Sequence, residues 1–318
     1  MRMATGWLAA MLMAAAGCAT TPVEPEVPDI RDTDPMIVQV STTAREAYAA
    51  GETPRAVVLY RRALARAQAM DNSREVGRIS YNLAVCLVSL EEWTEAEALL
   101  ADAERATIKA GDDASPVLLM AAELARRRDQ LSEAEAAIDR LERLPVSDEV
   151  RGQAYVMRAH IACDRGDAAR AEGFLSRAMG FLKKNRDPGL AGSMAEVTAR
   201  VAILKGDHAG AGKAYDLQAS WLLRAERLPE MAEALEAAGR QYETAGEADA
   251  AADRYYRAAR SLMGQERYLD ALRVIELAVK LKETAADPAD ASDIARLFDE
   301  IRRSLEKTAR AATGPSAK

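Results

Sequence analysis

One alternation of small and bulky apolar positions recurs along most of the chain. A small residue is followed by seven residues, a turn that often holds Gly, and then an Ala five residues on. The copies, quoted from the turn, are GETPRAVVLYRRAL, EEWTEAEALLADAE, DQLSEAEAAIDRLE, GDAARAEGFLSRAM, GDHAGAGKAYDLQA and GEADAAADRYYRAA. Their shared alanines are Ala56, Ala96, Ala134, Ala171, Ala211 and Ala251, spaced 40, 38, 37, 40 and 40. Twelve residues before each stands Ala44, Ala84, Ala122, Ala159, Ala199 or Gly239, and seven after, Ala63, Ala103, Ala178 and Ala258 repeat in four copies. Bulk falls at Tyr60, Leu100, Ile138, Leu175, Tyr215 and Tyr255. Two antiparallel helices on a short turn cross closely only where their side chains are small. The pattern therefore predicts an A helix, a turn and a B helix per repeat, with Gly ending helix A in a left-handed cap.

The predicted pairs are 36–50 with 53–69, 73–90 with 93–109, 115–128 with 131–143, 147–164 with 167–184, 188–205 with 208–226 and 229–245 with 248–263. GQERYLDALRVIELAVKLKE, from Gly264 to Glu283, adds one more helix, with Tyr268 and Ala271 at B-helix positions. A final helix with a charged face, over 288–308, suits the open end of the stack. The expected organisation is a solenoid over 36–284, a capping helix within 285–310, and a disordered tail over 311–318.

The order small, Gly, Ala, Tyr, Ala resembles the tetratricopeptide repeat (TPR) signature over about residues 36 to 284. The period is longer than the family's, and its Trp and Pro positions are mostly unfilled. The resemblance implies an all-α, right-handed α–α superhelical solenoid that binds a protein or peptide along its concave groove. It places groove contacts at recurrent A-helix positions, here including Arg45, Tyr48, Tyr81, Val85, Glu123, Arg126, His160, Glu196, Arg200, Glu236, Arg240 and Glu243. The two-carboxylate clamp of chaperone-binding members needs Lys and Asn at two of these positions. The first is Ser41, Tyr81, Leu119, Val156, Glu196 and Glu236 in successive repeats, so that clamp is absent. At the second, Arg45, Arg200 and Arg240 recur. They form either a ladder that grips acidic peptide groups or a C-terminal carboxylate, or local pairs Glu196–Arg200 and Glu236–Arg240 in the favourable Glu-first order.

The N-terminus breaks from the repeat. Arg2 precedes a ten-residue apolar run, Trp7 to Ala16, too short for a bilayer, which needs about 20 residues. It fits the apolar region of an export signal. Ala15-Ala16-Gly17-Cys18 then resembles the lipobox of bacterial lipoproteins, with Ala15 in place of the usual Leu. That resemblance implies a signal peptide over 1–17, cleavage before Cys18, and a diacylglyceryl thioether with an acylated amine, hence a palmitate-type membrane anchor. The same run also fits a conventional signal peptide cut after Ala16, which leaves Cys18 an ordinary residue. Residues 18–35 form the expected tether: 19–35 holds four prolines, five acidic residues and one Arg, a composition that stays extended. At about 3.1 Å per residue it reaches roughly 50 Å. Ala19, in place of Asp, implies outer-membrane sorting by the enterobacterial rule. The chain is expected to face the periplasm.

Composition narrows the function. Aromatics are 5% and Ala dominates the apolar class, which favours helix. Net charge is −7 without a basic block, a poor fit to nucleic acid, whose phosphates need clustered Lys and Arg. There is no G-x-S-x-G, H-E-x-x-H or P-loop. Cys86 and Cys163 lie in A helices two repeats apart, and stacked helices sit about 10 Å apart, so the pair reads as reduced core thiols. His160 reads as groove-lining and His208 as an exposed turn residue, 48 residues away, with no metal-ligand spacing around either. No cofactor or metal and no enzymatic activity is expected. The reading is a membrane-anchored interaction scaffold in envelope assembly or secretion. The alternative is a glycan-associated factor binding saccharide through Tyr48 and Tyr81.

Overall fold

The computed structural model describes residues 34–182, 187–283 and 291–313. Cys18, the signal peptide and the tether up to residue 33 lie outside them, as do 314–318 of the expected tail. The described residues form fourteen α-helices: α1 (Pro35–Ala49), α2 (Thr53–Ala69), α3 (Ser73–Ser89), α4 (Trp93–Lys109), α5 (Ser115–Arg127), α6 (Leu131–Glu142) and α7 (Asp148–Asp164). Then come α8 (Ala168–Leu182), α9 (Pro188–Leu204), α10 (His208–Arg224), α11 (Leu228–Thr244), α12 (Ala248–Gly264), α13 (Tyr268–Glu283) and α14 (Ala291–Thr313). Odd-numbered helices from α1 to α11 are the A helices, and even-numbered ones from α2 to α12 the B helices.

Beyond offsets of one or two residues at helix ends, three sequence readings differ from the structure. Pro35 belongs to α1 and not to the tether, because Asp34 caps the helix: its carboxylate accepts from the Met36 and Ile37 amides at 2.8 and 3.3 Å. At the other end α14 continues to Thr313, three residues into the expected tail. His208 is the first residue of α10, half-buried, with Nδ1 2.9 Å from Gln241 Oε1, and so is not a free turn residue.

Ten turns close on one design. After α1, the Glu52 amide donates to the Ala47 carbonyl and the Gly51 amide to Tyr48, at 2.8 and 3.0 Å, with Gly51 at φ +79°. This pair of bonds satisfies carbonyls that the helix end leaves orphaned. The same two bonds follow α2, α3, α4, α5, α7, α9, α10, α11 and α12. Gly takes the left-handed position at 51, 111, 166, 206 and 246; Asp71, Glu91, Asp129, Glu226 and Glu266 take it elsewhere.

The alanines carry the packing. All six A-helix and B-helix crossing alanines from Ala56 to Ala251 are fully buried, as are Ala44, Ala84, Ala122, Ala159 and Ala199. Gly239 shows why size matters: a Cβ there would meet the Tyr255 ring at 2.7 Å. The Tyr255 hydroxyl donates to Glu243 Oε2 at 2.8 Å, so this fully buried ring keeps a polar partner. Tyr60, Leu100 and Ile138 fill their holes completely, whereas Leu175 and Tyr215 are half-buried. Helices touch their neighbours in the chain and the next but one. The apolar interior is accordingly a row of clusters, not one core. Cys86 and Cys163 are free thiols inside it, each pushed up by burial, Cys86 to about 11.

Candidate functional site

A helices line up one repeat apart, which brings side chains about 36 to 41 residues distant in sequence into contact. On α5, α7 and α9 this builds one polar chain. Arg126 grips Glu123 with Nε at 2.8 Å and Nη2 at 2.9 Å, and its Nη1 reaches Asp164 Oδ2 at 3.1 Å. Arg200 donates to the other oxygen of Asp164, and its Nη1 stands 3.2 Å from His160 Nδ1. His160 Nε2 lies 3.0 Å from Ser193 Oγ. A guanidinium has donors only. His160 Nδ1 must therefore accept, which places the imidazole proton on Nε2, donating to Ser193.

Charge states follow from this enclosure. His160 is 6% exposed. Burial, reinforced by the Arg126 and Arg200 cations, lowers it to about 3, against a smaller opposing effect of Glu123 and Asp164. It is a neutral acceptor of the network. Burial also pushes Glu123 up, but the hydrogen bonds and charges of Arg126 and Arg127 outweigh it and leave the carboxyl low. Glu196 goes the other way: burial raises it, and Arg200 and Arg126 offset only part of that.

Beside this chain opens a cavity of about 570 Å³. A helices α5, α7, α9 and α11 line it, with α10 behind. Its polar lining includes Glu123, Arg126, Arg127, His160, Ser193, Glu196, Gln218, Arg227, Glu230, Glu233 and Arg240; Met157, Tyr215 and Leu222 add apolar surface. Arg127, Arg227 and Arg240 are half-exposed at its margins.

The structure sorts the sequence-predicted residues into two groups. Glu123, Arg126, His160 and Arg240 line the cavity, and Arg200 supports it through His160. Arg45, Tyr48 and Tyr81 lie at the N-terminal end, outside it. Arg45 is exposed, while both tyrosine rings pack half-buried against the first core cluster. Tyr48 Oη is 3.0 Å from Ser89 Oγ, and burial raises the Tyr81 phenol. Of the two local pairs considered, Glu236–Arg240 forms at 2.5 Å, with Arg273 of α13 adding a two-bond grip on Glu236 at 2.8 and 2.9 Å. Glu196–Arg200 does not form. Arg200 turns to Asp164 of the previous repeat, and Glu196 accepts from Gln218 at 3.2 Å. Asp164, Gln218 and the margin residues Arg127 and Arg227 escaped the sequence reading. The signal for Asp164 was its distance of 38 from Arg126 and 36 from Arg200, one repeat either way.

Among the described residues no group of His, Cys, Asp and Glu is placed to hold a metal ion, and no helix is long and apolar enough to cross a membrane.

The helix succession, the caps and the alanine crossings define an all-α, right-handed α–α solenoid of the tetratricopeptide-repeat type. No protein-family model matches the chain, and no curated protein matches it significantly. Solved structures do. A Rap protein complexed with competence and sporulation factor is similar over 86% of this chain and 76% of its own, with 12% identity and a TM-score of 0.56. The apo form of RapI matches over 85% and 99%, with 10% identity and a TM-score of 0.54. PilW, a widely conserved type IV pilus biogenesis factor, matches over 76% and 99%, with 17% identity and a TM-score of 0.51. At such identities the likeness concerns the fold.

Proposed function

We propose that this chain is a non-enzymatic scaffold that binds a segment of a partner protein in the cavity between α5 and α11. The observation that carries this reading is the cavity itself. It is open, lined by four successive A helices, and mixes apolar residues with polar groups held in place by ion pairs. Its floor is braced through Arg126, Asp164 and Arg200, so the surface is preformed. That a Rap protein of similar fold is seen complexed with a factor supports a binding role.

The lipobox-like Ala15-Ala16-Gly17-Cys18 extends the proposal: Cys18 carries a lipid that holds the scaffold at the periplasmic face of the outer membrane, serving envelope assembly or secretion. The fold similarity to a type IV pilus biogenesis factor fits that setting. Cells expressing the wild type and Cys18→Ser are labelled with radioactive palmitate and fractionated. Label and membrane retention in the wild type, both lost in Cys18→Ser, are expected. An unlabelled wild type would remove the anchor and its location. The scaffold reading is tested separately by in-cell crosslinking from the cavity margin at Arg227. Recovery of one protein partner, lost when Ala237→Arg, at a half-buried lining position of α11, fills the cavity, is expected; crosslinks unchanged by Ala237→Arg would place binding elsewhere.

A further inference from the structure

Every guanidinium that lines the cavity is already committed to a carboxylate. Arg126 holds Glu123 and Asp164, Arg127 holds Glu123, Arg227 holds Glu230, and Arg240 holds Glu236. The lining carboxylates are not all so engaged. Among the described residues no cation stands within ion-pair distance of Glu196, a half-buried residue of α9. Its one hydrogen bond comes from the Gln218 amide at 3.2 Å. An ionised carboxylate can accept about four.

The surroundings of Glu196 explain why it is left over. Arg200 on its own helix is drawn to Asp164 and His160 of α7, Arg126 of α5 is spent on Glu123 and Asp164, and α10 offers only Gln218 and Tyr215. Glu233, the other lining carboxylate with no ion pair among the described residues, is exposed, so a cation arriving with a ligand does most for the half-buried Glu196, whose carboxyl burial raises. Tyr215 lies close to it, and Met157 and Leu222 add apolar surface to the same cavity. Lysine and arginine side chains have the matching form, an apolar stem with a cationic end.

We propose that the cavity receives a lysine or arginine side chain of the partner, its stem along Met157, Tyr215 and Leu222 and its cationic head on Glu196. This rests on the scaffold reading above and gives it a polarity. It departs from the alternative of an arginine ladder for acidic peptides, because Arg200 and Arg240 are already paired with Asp164 and Glu236.

The test is selection of random peptides, displayed on phage, against the full immobilised chain, with Glu196→Gln as the paired variant. Gln keeps the size and can still bond Gln218, and equal thermal unfolding of the two proteins verifies the fold. Peptides competing for the cavity are expected to share a Lys or Arg at one position. Replacing that residue by norleucine weakens binding to the wild type about ten-fold or more and to Glu196→Gln less than about two-fold, as a coupled pair requires. Enrichment of acidic residues or a free C-terminal carboxylate, or an equal norleucine effect on both proteins, would overturn the cation assignment and leave the scaffold reading standing. Failure to enrich any peptide that Ala237→Arg, a variant checked for equal thermal unfolding, abolishes would overturn both.

Discussion

Glu91 stands in left-handed backbone at φ 61°, where four of its repeat counterparts, Gly51, Gly166, Gly206 and Gly246, are glycines. For an L-residue with a Cβ this conformation costs about 1–2 kcal/mol. The two turn hydrogen bonds hold it in place, but the strain remains. Glu91→Gly is therefore expected to raise stability by about 1 kcal/mol, part of the relief being lost to the freer unfolded chain. Chemical unfolding read by circular dichroism checks this, and a lower midpoint would show that the glutamate side chain earns its place. His160 gives a pH prediction. Its folded value near 3 lies below the ordinary 6.5, so between those values the unfolded chain binds a proton that the folded chain does not. Its contribution is complete above pH 6.5 and is lost progressively as pH falls towards 3. The urea midpoint should drop from pH 7 to pH 5, and His160→Asn, which cannot be protonated, should flatten that drop. An unchanged pH slope would contradict the buried neutral imidazole.

Among the elements, α14 tests the idea of a cap. Ile294, Leu297 and Ile301 bury one face of it against the preceding helices, while its other face is charged. Ile301→Ala should destabilise the last helices by about 2–5 kcal/mol. Hydrogen exchange should then quicken in α12, α13 and α14 and stay unchanged in α1 to α4. Protection lost equally everywhere would mean that the helix stabilises more than the end it covers. The helices and turns themselves were legible in the sequence, most boundaries falling within two residues. Their signals are local: a small residue at each crossing, a left-handed residue at each turn. Pro35 was missed because four prolines in a row of acidic residues read as tether, although Asp34 ahead of it is a cap. The local pair offered for Arg200 failed for a different reason. Helix spacing offers Glu196 four residues away, but stacking offers Asp164 one repeat away, and the second contact won.

At the scale of the molecule, the apolar interior of the described residues is a row of clusters along the stack. Each helix rests on its neighbours, as nearest-neighbour solenoids do. Overpacking one crossing should then act regionally. Ala134→Leu, at a fully buried crossing in α6, is expected to cost about 1–3 kcal/mol and to raise hydrogen exchange in α3 to α8 more than in α11 to α14. A uniform change along the chain would show longer-range cooperativity than these contacts allow.

What the sequence determined by itself is everything that depends on neighbours within about twenty residues: fourteen helices less a few end residues, the turns, the crossings and the repeat period. Local sterics and capping set these, and they can be read from spacing. Tertiary structure decided which charges meet. A repeat of 37 to 40 residues sets an offset between adjacent A helices that no local rule supplies. That offset gives Arg200 to Asp164, makes His160 a neutral link, opens the cavity, and leaves Glu196 without an ion pair among the described residues.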